Sequence, residues 1–240
     1  MQKKNKILIT GAGGYIGSCL HAYLREKFTI YALDKNNLNP WIKVKENKFF
    51  KCNLLNIRKL KKIVDKIKPD IVIHLAAQST VSSKIDKKKY YLNNVIATKN
   101  LLNAMKISKI NNIIFSSTAA VYKNKKQPIK ESDKLFPKNN YGRSKLFAEK
   151  IIKKENLNFI FLRFFNVSSA ILKPLIGEYH KPETHIIPRS IEKAMKNKKI
   201  VINGKNYSTP DGTCIRDYIH IKDICIAIEK SDIFNKSSSR

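Results

Sequence analysis

Read for the spacing of its apolar and polar positions, the chain alternates short apolar runs with longer stretches of helical period. Lys6-Ile-Leu-Ile-Thr10 is a short buried strand, because strands covered on both faces read as unbroken aliphatic runs. A turn rich in glycine and then a helical stretch, SCLHAYLREK, come next. Thr29-Ile-Tyr-Ala-Leu33 is a second strand ending in Asp34, and Phe49-Phe50 is strand-like. A helix runs to Ile67 and stops before Pro69-Asp70, where proline cannot continue it. Ile71-Val-Ile-His-Leu75 and Asn112-Ile-Ile-Phe115 are further buried strands. Between them, YYLNNVIATKNLLNAMKI places Val95, Leu101, Leu102 and Met105 on one helical face. Another helix opens at Tyr141. Strands alternating with helices predict an α/β fold around a parallel sheet.

The remainder is less regular. Residues 171–188 contain Pro174, Gly177, Pro182 and Pro188, which predicts a loop-rich crossing between lobes. Ser190-Ile-Glu-Lys-Ala-Met-Lys196 is a short amphipathic helix and Ile200-Val-Ile202 a strand. The expected division is an α/β sheet domain over 1–168 and a partial second lobe over 169–240, with the segment near 212–228 returning to the first domain. Phe234-Asn-Lys-Ser-Ser-Ser-Arg240 has the composition of a disordered tail.

Composition narrows the class. With 240 residues, 42% of them hydrophobic, the chain can bury a core of one domain or a domain and a half. No apolar run approaches the roughly 20 residues that span a bilayer, and MQKKNKILIT enters a strand without a signal-peptide pattern. Cys19, Cys52, Cys214 and Cys225 have neither metal-ligand nor paired spacing, so reduced thiols in a cytoplasmic protein are expected. A net charge of +30 invites a nucleic-acid partner. The lysines are scattered, however, and clusters such as Lys59-Leu-Lys-Lys62 and Lys87-Lys-Lys89 fit solvated helix faces. Neither nucleic acid nor membrane is expected as a partner.

The chemistry starts at Gly11-Ala-Gly-Gly14-Tyr-Ile-Gly17, between a strand and a helix. Glycines at 11, 14 and 17 let the backbone turn tightly, approach a pyrophosphate and pack the helix on the sheet. The helix N-terminus then offers unpaired N–H groups and a positive dipole end. Asp34 lies 17 residues beyond Gly17 at the tip of the next strand, where a carboxylate accepts from ribose hydroxyls and repels a 2′-phosphate. This is the pattern of a Rossmann fold that prefers NAD to NADP; the alternative for Asp34 is a turn residue before Asn36-Asn37. Asn53-Leu54 fall where adenine contacts arise, and Ala76-Ala77 end a strand with side chains small enough for backbone to lie against a cofactor. Asn94 is either a brace for the neighbouring strand ends or an ordinary exposed asparagine.

Ser116-Ser117-Thr118 stand at the carboxyl end of a strand, the side on which ligands bind in open α/β sheets. Five Tyr-x-x-x-Lys pairs occur: Tyr23/Lys27, Tyr31/Lys35, Tyr122/Lys126, Tyr141/Lys145 and Tyr218/Lys222. Only Tyr141/Lys145 both opens a helix and follows a strand end bearing hydroxyls. Residues four apart share a helical face, and a cation about 4 Å away contributes roughly 4 kcal/mol at an effective dielectric of about 20. That is enough to bring a phenol towards neutrality, as an acid/base needs. His180 and His185 flank Pro182-Glu183, but no further ligand cluster accompanies them in the sequence, so no metal site is expected.

With these residues in place, the chain resembles the extended short-chain dehydrogenase/reductase superfamily and, within it, the UDP-glucose 4-epimerases. The resemblance runs from Ile7 to about Ile228. It also rests on Val72-Ile-His-Leu-Ala-Ala77, Asn93-Asn-Val95, Phe115-Ser-Ser-Thr-Ala-Ala-Val-Tyr122, Leu162-Arg-Phe-Phe-Asn166, Pro182-Glu-Thr-His-Ile-Ile-Pro188 and Asp211-Gly-Thr-Cys-Ile-Arg-Asp-Tyr-Ile-His220. It implies Tyr141 as acid/base, Lys145 lowering its pKa and holding the nicotinamide ribose, and Thr118 bridging to substrate. Gly11, Gly14, Tyr15, Ile16, Gly17, Asp34, Asn53, Leu54, Ala76, Ala77, Asn94 and Phe164 would meet NAD. Asn166 would touch a UDP-sugar and Arg216 a diphosphate oxygen. Arg216 beside Asp217 could equally be a local ion pair. The implied reaction is 4-epimerisation of a UDP-hexose through a 4-keto sugar, without a metal. Related 4,6-dehydratases carry an Asp-Glu pair after the threonine, where this chain has Ala119-Ala120.

The chain departs from the likeness at Asn53, where an aspartate is usual, at Phe164, where a tyrosine is common, and at Tyr179, where an acid is usual. Family members also continue beyond Arg240 through most of a sugar-binding subdomain. The expectation is therefore a fragment or truncated product, or a lobe completed by a second chain. The rival reading is a catalytically idle NAD-binding module. Homodimerisation through the helices of Asn94 and Tyr141 is implied by likeness only.

Overall fold

The computed structural model describes residues 4–231 apart from 41, 43, 83–84, 126, 179, 181–182 and 203. Lys126, Tyr179, Pro182 and the tail from Phe234, singled out above, lie outside the described residues. Six parallel strands form the central sheet: β1 (Lys6–Thr10), β2 (Thr29–Asp34), β3 (Phe49–Lys51), β4 (Ile71–His74), β5 (Asn112–Thr118) and β6 (Asn158–Phe164). Their order is β3-β2-β1-β4-β5-β6, the doubly wound Rossmann arrangement with its topological switch between β1 and β4. β6 was not anticipated as a strand: its aromatic run, NFIFLRF, is only partly buried and lacks the unbroken aliphatic pattern of the inner strands.

Side chains leave each strand alternately, and the helices divide accordingly. Ile7, Ile9, Ile71 and Ile73 point to the face covered by α1 (Tyr15–Leu24). Leu8, Val72, Ile113 and Phe115 point to the other, covered by α2 (Ile57–Ile67) and by a helix whose parts are α3 (Lys87–Tyr90), a π-helical turn (Tyr91–Ile96) and α4 (Ala97–Ile107). Ala148 and Ile152 of α5 (Asn140–Lys154) close that second face. The four apolar positions expected to line the 90–107 helix, Val95, Leu101, Leu102 and Met105, are all buried.

Beyond β6 the chain makes β7 (Asn166–Ser168), a small hairpin of β8 (Ile171–Leu172) and β9 (Leu175–Ile176), α6 (Ile186–Met195), β10 (Tyr218–His220) and α7 (Ile221–Glu229). β10 pairs in parallel with β7. Ile221, Ile224, Cys225 and Ile228 of α7 join the core that contains Cys19 and Leu20 of α1. Two expectations fail here. Ile200-Val-Ile202 is no strand and all three side chains are exposed: an apolar triplet cannot make a strand without an edge to pair with. The helix expected from Ser190 begins at Ile186, taking Pro188 into its first turn, where a missing N–H costs nothing. Its expected buried face has no cover, since no residue of α6 is buried.

Candidate active site

β1 and β4 end side by side, with Thr10 opposite His74. The Thr10 hydroxyl meets His74 Nδ1 at 2.7 Å, and His74 Nε2 meets Thr98 Oγ1 at 2.9 Å. Thr98 already donates its hydroxyl proton to the Asn94 carbonyl. His74 therefore carries its proton on Nε2 and accepts from Thr10 on Nδ1. Burial, reinforced by the nearby Lys145, pushes this imidazole down to about 3, so it stays neutral. The buried bridge pins the strand ends that flank the switch point.

The glycine turn lies directly above. Gly17 sits inside α1, and a Cβ there would lie 2.2 Å from the Gly11 carbonyl oxygen. Only glycine lets the helix start so close to the turn. Gly11 itself lies against the Ala76 backbone, which brings the end of β4 into the same cradle. On Gly14, by contrast, a Cβ would meet nothing nearer than 3.4 Å. The space before the helix is open, α1 has no side-chain cap, and its first turn holds no acid. An anion fits that cradle. At its edge Asp34 accepts the Gly13 N–H on Oδ2 and the Asn36 N–H on Oδ1. Each oxygen keeps a lone pair for a ribose hydroxyl. Asp34 is thus part of the glycine turn and more than a local turn residue. Tyr15 and Ile16 open α1, and Tyr15 donates its hydroxyl proton to the Ser169 carbonyl. Asn53 is exposed and accepts the Leu55 N–H, while Leu54 is buried.

The catalytic candidates gather beyond β5. Thr118 ends the strand, and its Oγ1 accepts the Ala120 N–H of a single 3-10 turn, Ala119–Val121. α5 enters against that turn: a Cβ on Gly142 would lie 2.5 Å from the Ala120 carbonyl. This close approach sets the Tyr141 side chain beside that of Thr118. Asn94, in the π-helical turn, is buried and clamps Gln78 through both backbone groups while donating to Ser144 Oγ at 2.8 Å. Ser144 in turn donates to the Tyr141 carbonyl. Asn94 is the brace, not the exposed alternative.

One electrostatic expectation is corrected. Burial raises the Tyr141 phenol to about 12, with only the Thr118 hydroxyl opposing it. Lys145 is itself lowered to about 7 by burial, against the pull of Glu149. Its ammonium donates to the Ser116 carbonyl and lies 4.7 Å from the Phe115 ring centre. The helical spacing is met, yet desolvation outweighs it.

Several supporting residues escaped the sequence reading. Tyr90 is buried and its ring lies 6.4 Å from that of Tyr141. Glu149 is buried and holds Arg163 through two bonds of 3.0 and 2.8 Å. It also accepts from Ser117, while Arg163 reaches the Tyr122 hydroxyl at 2.6 Å. Glu149 follows Lys145 by four residues on the inner face of α5, the one signal that could have revealed it.

Of the substrate candidates, Asn166 opens β7 and donates to the Asp217 carbonyl, bringing it beside Arg216. Arg216 forms no ion pair with Asp217; among the described residues its guanidinium bonds only the Ile215 carbonyl. Phe164 ends β6 opposite Thr118. The premise that His180 and His185 lack companions is also corrected, because Glu178 and Glu183 converge on them. Among the described residues no helix is long and apolar enough to cross a membrane.

The model of the NAD dependent epimerase/dehydratase family matches residues 7–230. The chain belongs to this family. It is 38% identical over 229 residues to a UDP-glucose 4-epimerase of Halalkalibacterium halodurans, covering 92% of this chain and 69% of the relative. A UDP-glucose 4-epimerase of Brucella ovis solved with NAD superposes with a TM-score of 0.88 at 35% identity, covering 98% of this chain and 74% of that one. The Bifidobacterium longum UDP-glucose 4-epimerase, solved with NAD+ and UDP, gives 0.85 at 30% identity over 95% and 75%. The family's cofactor is NAD.

Proposed function

We propose that the protein is an isomerase that inverts C4 of a UDP-hexose, interconverting UDP-glucose and UDP-galactose in nucleotide-sugar metabolism. The observation that carries this reading is the Tyr141–Thr118 pair at the end of β5, backed by Lys145 and followed by Ala119-Ala120 where elimination chemistry would need acids. In this reading Gly11, Gly14, Tyr15, Ile16 and Gly17 hold the pyrophosphate, Asp34 the ribose, and Asn53, Leu54, Ala76, Ala77, Asn94 and Phe164 line the remaining cofactor path. Bound NAD supplies the hydride acceptor and donor for sugar C4. Tyr141 takes the 4-hydroxyl proton and later returns it to the 4-keto oxygen, with Thr118 bridging the two oxygens. Its phenol, held at about 12 by burial, needs more positive charge than Lys145 gives; a cationic nicotinamide is of the right sign. Asn166 and Arg216 face the nucleotide sugar and its diphosphate.

In the same reading residues 1–168 bind the cofactor, and 169–240 begin the sugar lobe with the segment near 212–228 returning to the sheet. The location is cytoplasmic, in keeping with four free thiols. A homodimer forms through the helices of Asn94 and Tyr141, whose exposed Tyr91 and Phe147 rings meet edge-on at 6.3 Å. The test is to purify the 240-residue chain, assay it for NAD, and follow UDP-galactose for conversion to UDP-glucose. Retained NAD with product formation supports the reading. Retained NAD without turnover on UDP-glucose, UDP-galactose or their N-acetyl forms favours an idle NAD-binding module. The bare apolar side chains of α6 and 200–202 are the observation on that side.

A further inference from the structure

Three side chains of α5, spaced four apart on one helical face, meet three successive residues of β5. Tyr141 lies beside Thr118, Lys145 donates to the Ser116 carbonyl at 2.6 Å, and Glu149 accepts from the Ser117 hydroxyl. The proposed reaction accounts for Tyr141 and Lys145 and leaves Glu149 without a role. Glu149 is buried, and its carboxylate goes on to bind the guanidinium of Arg163, which stands opposite Ser117 on β6. Arg163 Nε meets Glu149 Oε1 at 3.0 Å and Nη2 meets Oε2 at 2.8 Å. Nη1 is directed elsewhere and donates to the Tyr122 hydroxyl at 2.6 Å.

These bonds take hold of the chain on both sides of Thr118. Ser117 precedes it, and Tyr122 follows the 3-10 turn Ala119–Val121 that begins there. A strand end that runs into a loop is mobile unless it is tied down. Here one planar guanidinium, with three of its five donors engaged, ties it to α5 and β6 together. The turn is also the surface on which α5 packs: the Ala120 carbonyl is what a Cβ on Gly142, next to Tyr141, would strike at 2.5 Å. A shift of the turn therefore changes the distance between Thr118 and Tyr141.

We infer that Glu149, Arg163 and Tyr122 are positioning residues, a clamp that fixes the turn bearing Thr118 against Tyr141. What Thr118 does rests on the epimerase reading; what holds Thr118 rests on the bonds above. Stability alone does not account for the pair. Desolvation cancels much of what a buried ion pair gains, and apolar side chains of similar volume do as well. What apolar side chains lack is direction: the fork sets the bearing of Tyr122 and, through Glu149, of Ser117.

The experiment compares Tyr122→Phe with the parent in the full 240-residue chain loaded with NAD, UDP-galactose being the substrate. A misplacement of about 1 Å can lower a rate by about 10²-fold, so loss of this one hydroxyl should lower kcat by about tenfold, with KM and NAD affinity within about twofold of the parent. Tyr23→Phe, which removes a hydroxyl bonded to Glu229 between α1 and α7, should leave kcat unchanged. In a Thr118→Val background Tyr122→Phe should have no further effect, since the clamp acts through that threonine. Glu149→Leu/Arg163→Met should keep most of its stability yet lose kcat as Tyr122→Phe does, which a purely structural role would not produce. Independently of turnover, threonine-methyl NMR of Tyr122→Phe should show the Thr118 signal shifted and those of Thr10 and Thr98 unmoved. A parent-like kcat in Tyr122→Phe or in the double variant would overturn the clamp. So would an equal fold-loss in the Thr118→Val background, or an unmoved Thr118 methyl signal. A parent chain that holds NAD without turnover would sink the epimerase reading alone, and the methyl signal would then decide the clamp.

Discussion

Glu149→Gln isolates the buried network beneath the candidate catalytic threonine. The substitution keeps the shape of the side chain and removes its charge, leaving Arg163 without the carboxylate it grips at 3.0 and 2.8 Å. The amide keeps one oxygen that can still accept from Ser117, next to Thr118 and opposite Arg163 in the sheet, but its NH2 cannot accept from Arg163 Nη2 as Oε2 does. Breaking a buried pair costs about 3–5 kcal/mol. Arg163 keeps 17% side-chain exposure against 2% for Glu149, so the lower end, about 3 kcal/mol, is the expected value. With a urea slope of about 2 kcal/mol/M, the unfolding midpoint should fall by about 1.5 M. The companion Glu149→Leu/Arg163→Met removes both charges and should recover most of the loss. A midpoint for Glu149→Gln within about 0.2 M of the parent would refute the reasoning, as would a double variant less stable than the single one.

Gly14→Ala should fold normally, since its Cβ meets nothing closer than 3.4 Å, yet weaken NAD binding about tenfold or more by filling the anion cradle; fluorescence titration with NADH reads this. Gly17→Ala should instead lower the melting temperature, its Cβ falling 2.2 Å from the Gly11 oxygen. For His74, lowered to about 3 in the fold, the unfolded chain binds the proton first. Its contribution is therefore present above pH about 6.5 and lost as pH falls towards 3, by up to about 5 kcal/mol. Urea unfolding at pH 7 and pH 4 should show a loss that shrinks in His74→Asn.

The inner strands were legible because burial on both faces leaves only aliphatic residues, as in Lys6–Thr10 and Ile71–His74. The turn glycines and Asp34 were legible because backbone geometry restricts which residues can stand there. β6 was not, since its aromatic side chains are only partly buried. Ile200–Ile202 misled because an apolar run specifies a strand only where a partner edge is available. In the site, helical spacing placed Tyr141 and Lys145 on one face, but no spacing reports desolvation, which sets the phenol at about 12 and the amine at about 7. The four residues at 178–185 show the same limit: their convergence depends on a loop path that pattern does not encode.

The central claim is that the phenol of residue 141 moves the proton in sugar epimerisation. Single-turnover conversion of UDP-galactose by the NAD-loaded chain, compared with Tyr141→Phe loaded to the same extent, tests it most directly. The account predicts product from the parent chain and a rate lower by about 10²-fold or more in the variant, with NAD affinity preserved. Equal rates in the two proteins would contradict it.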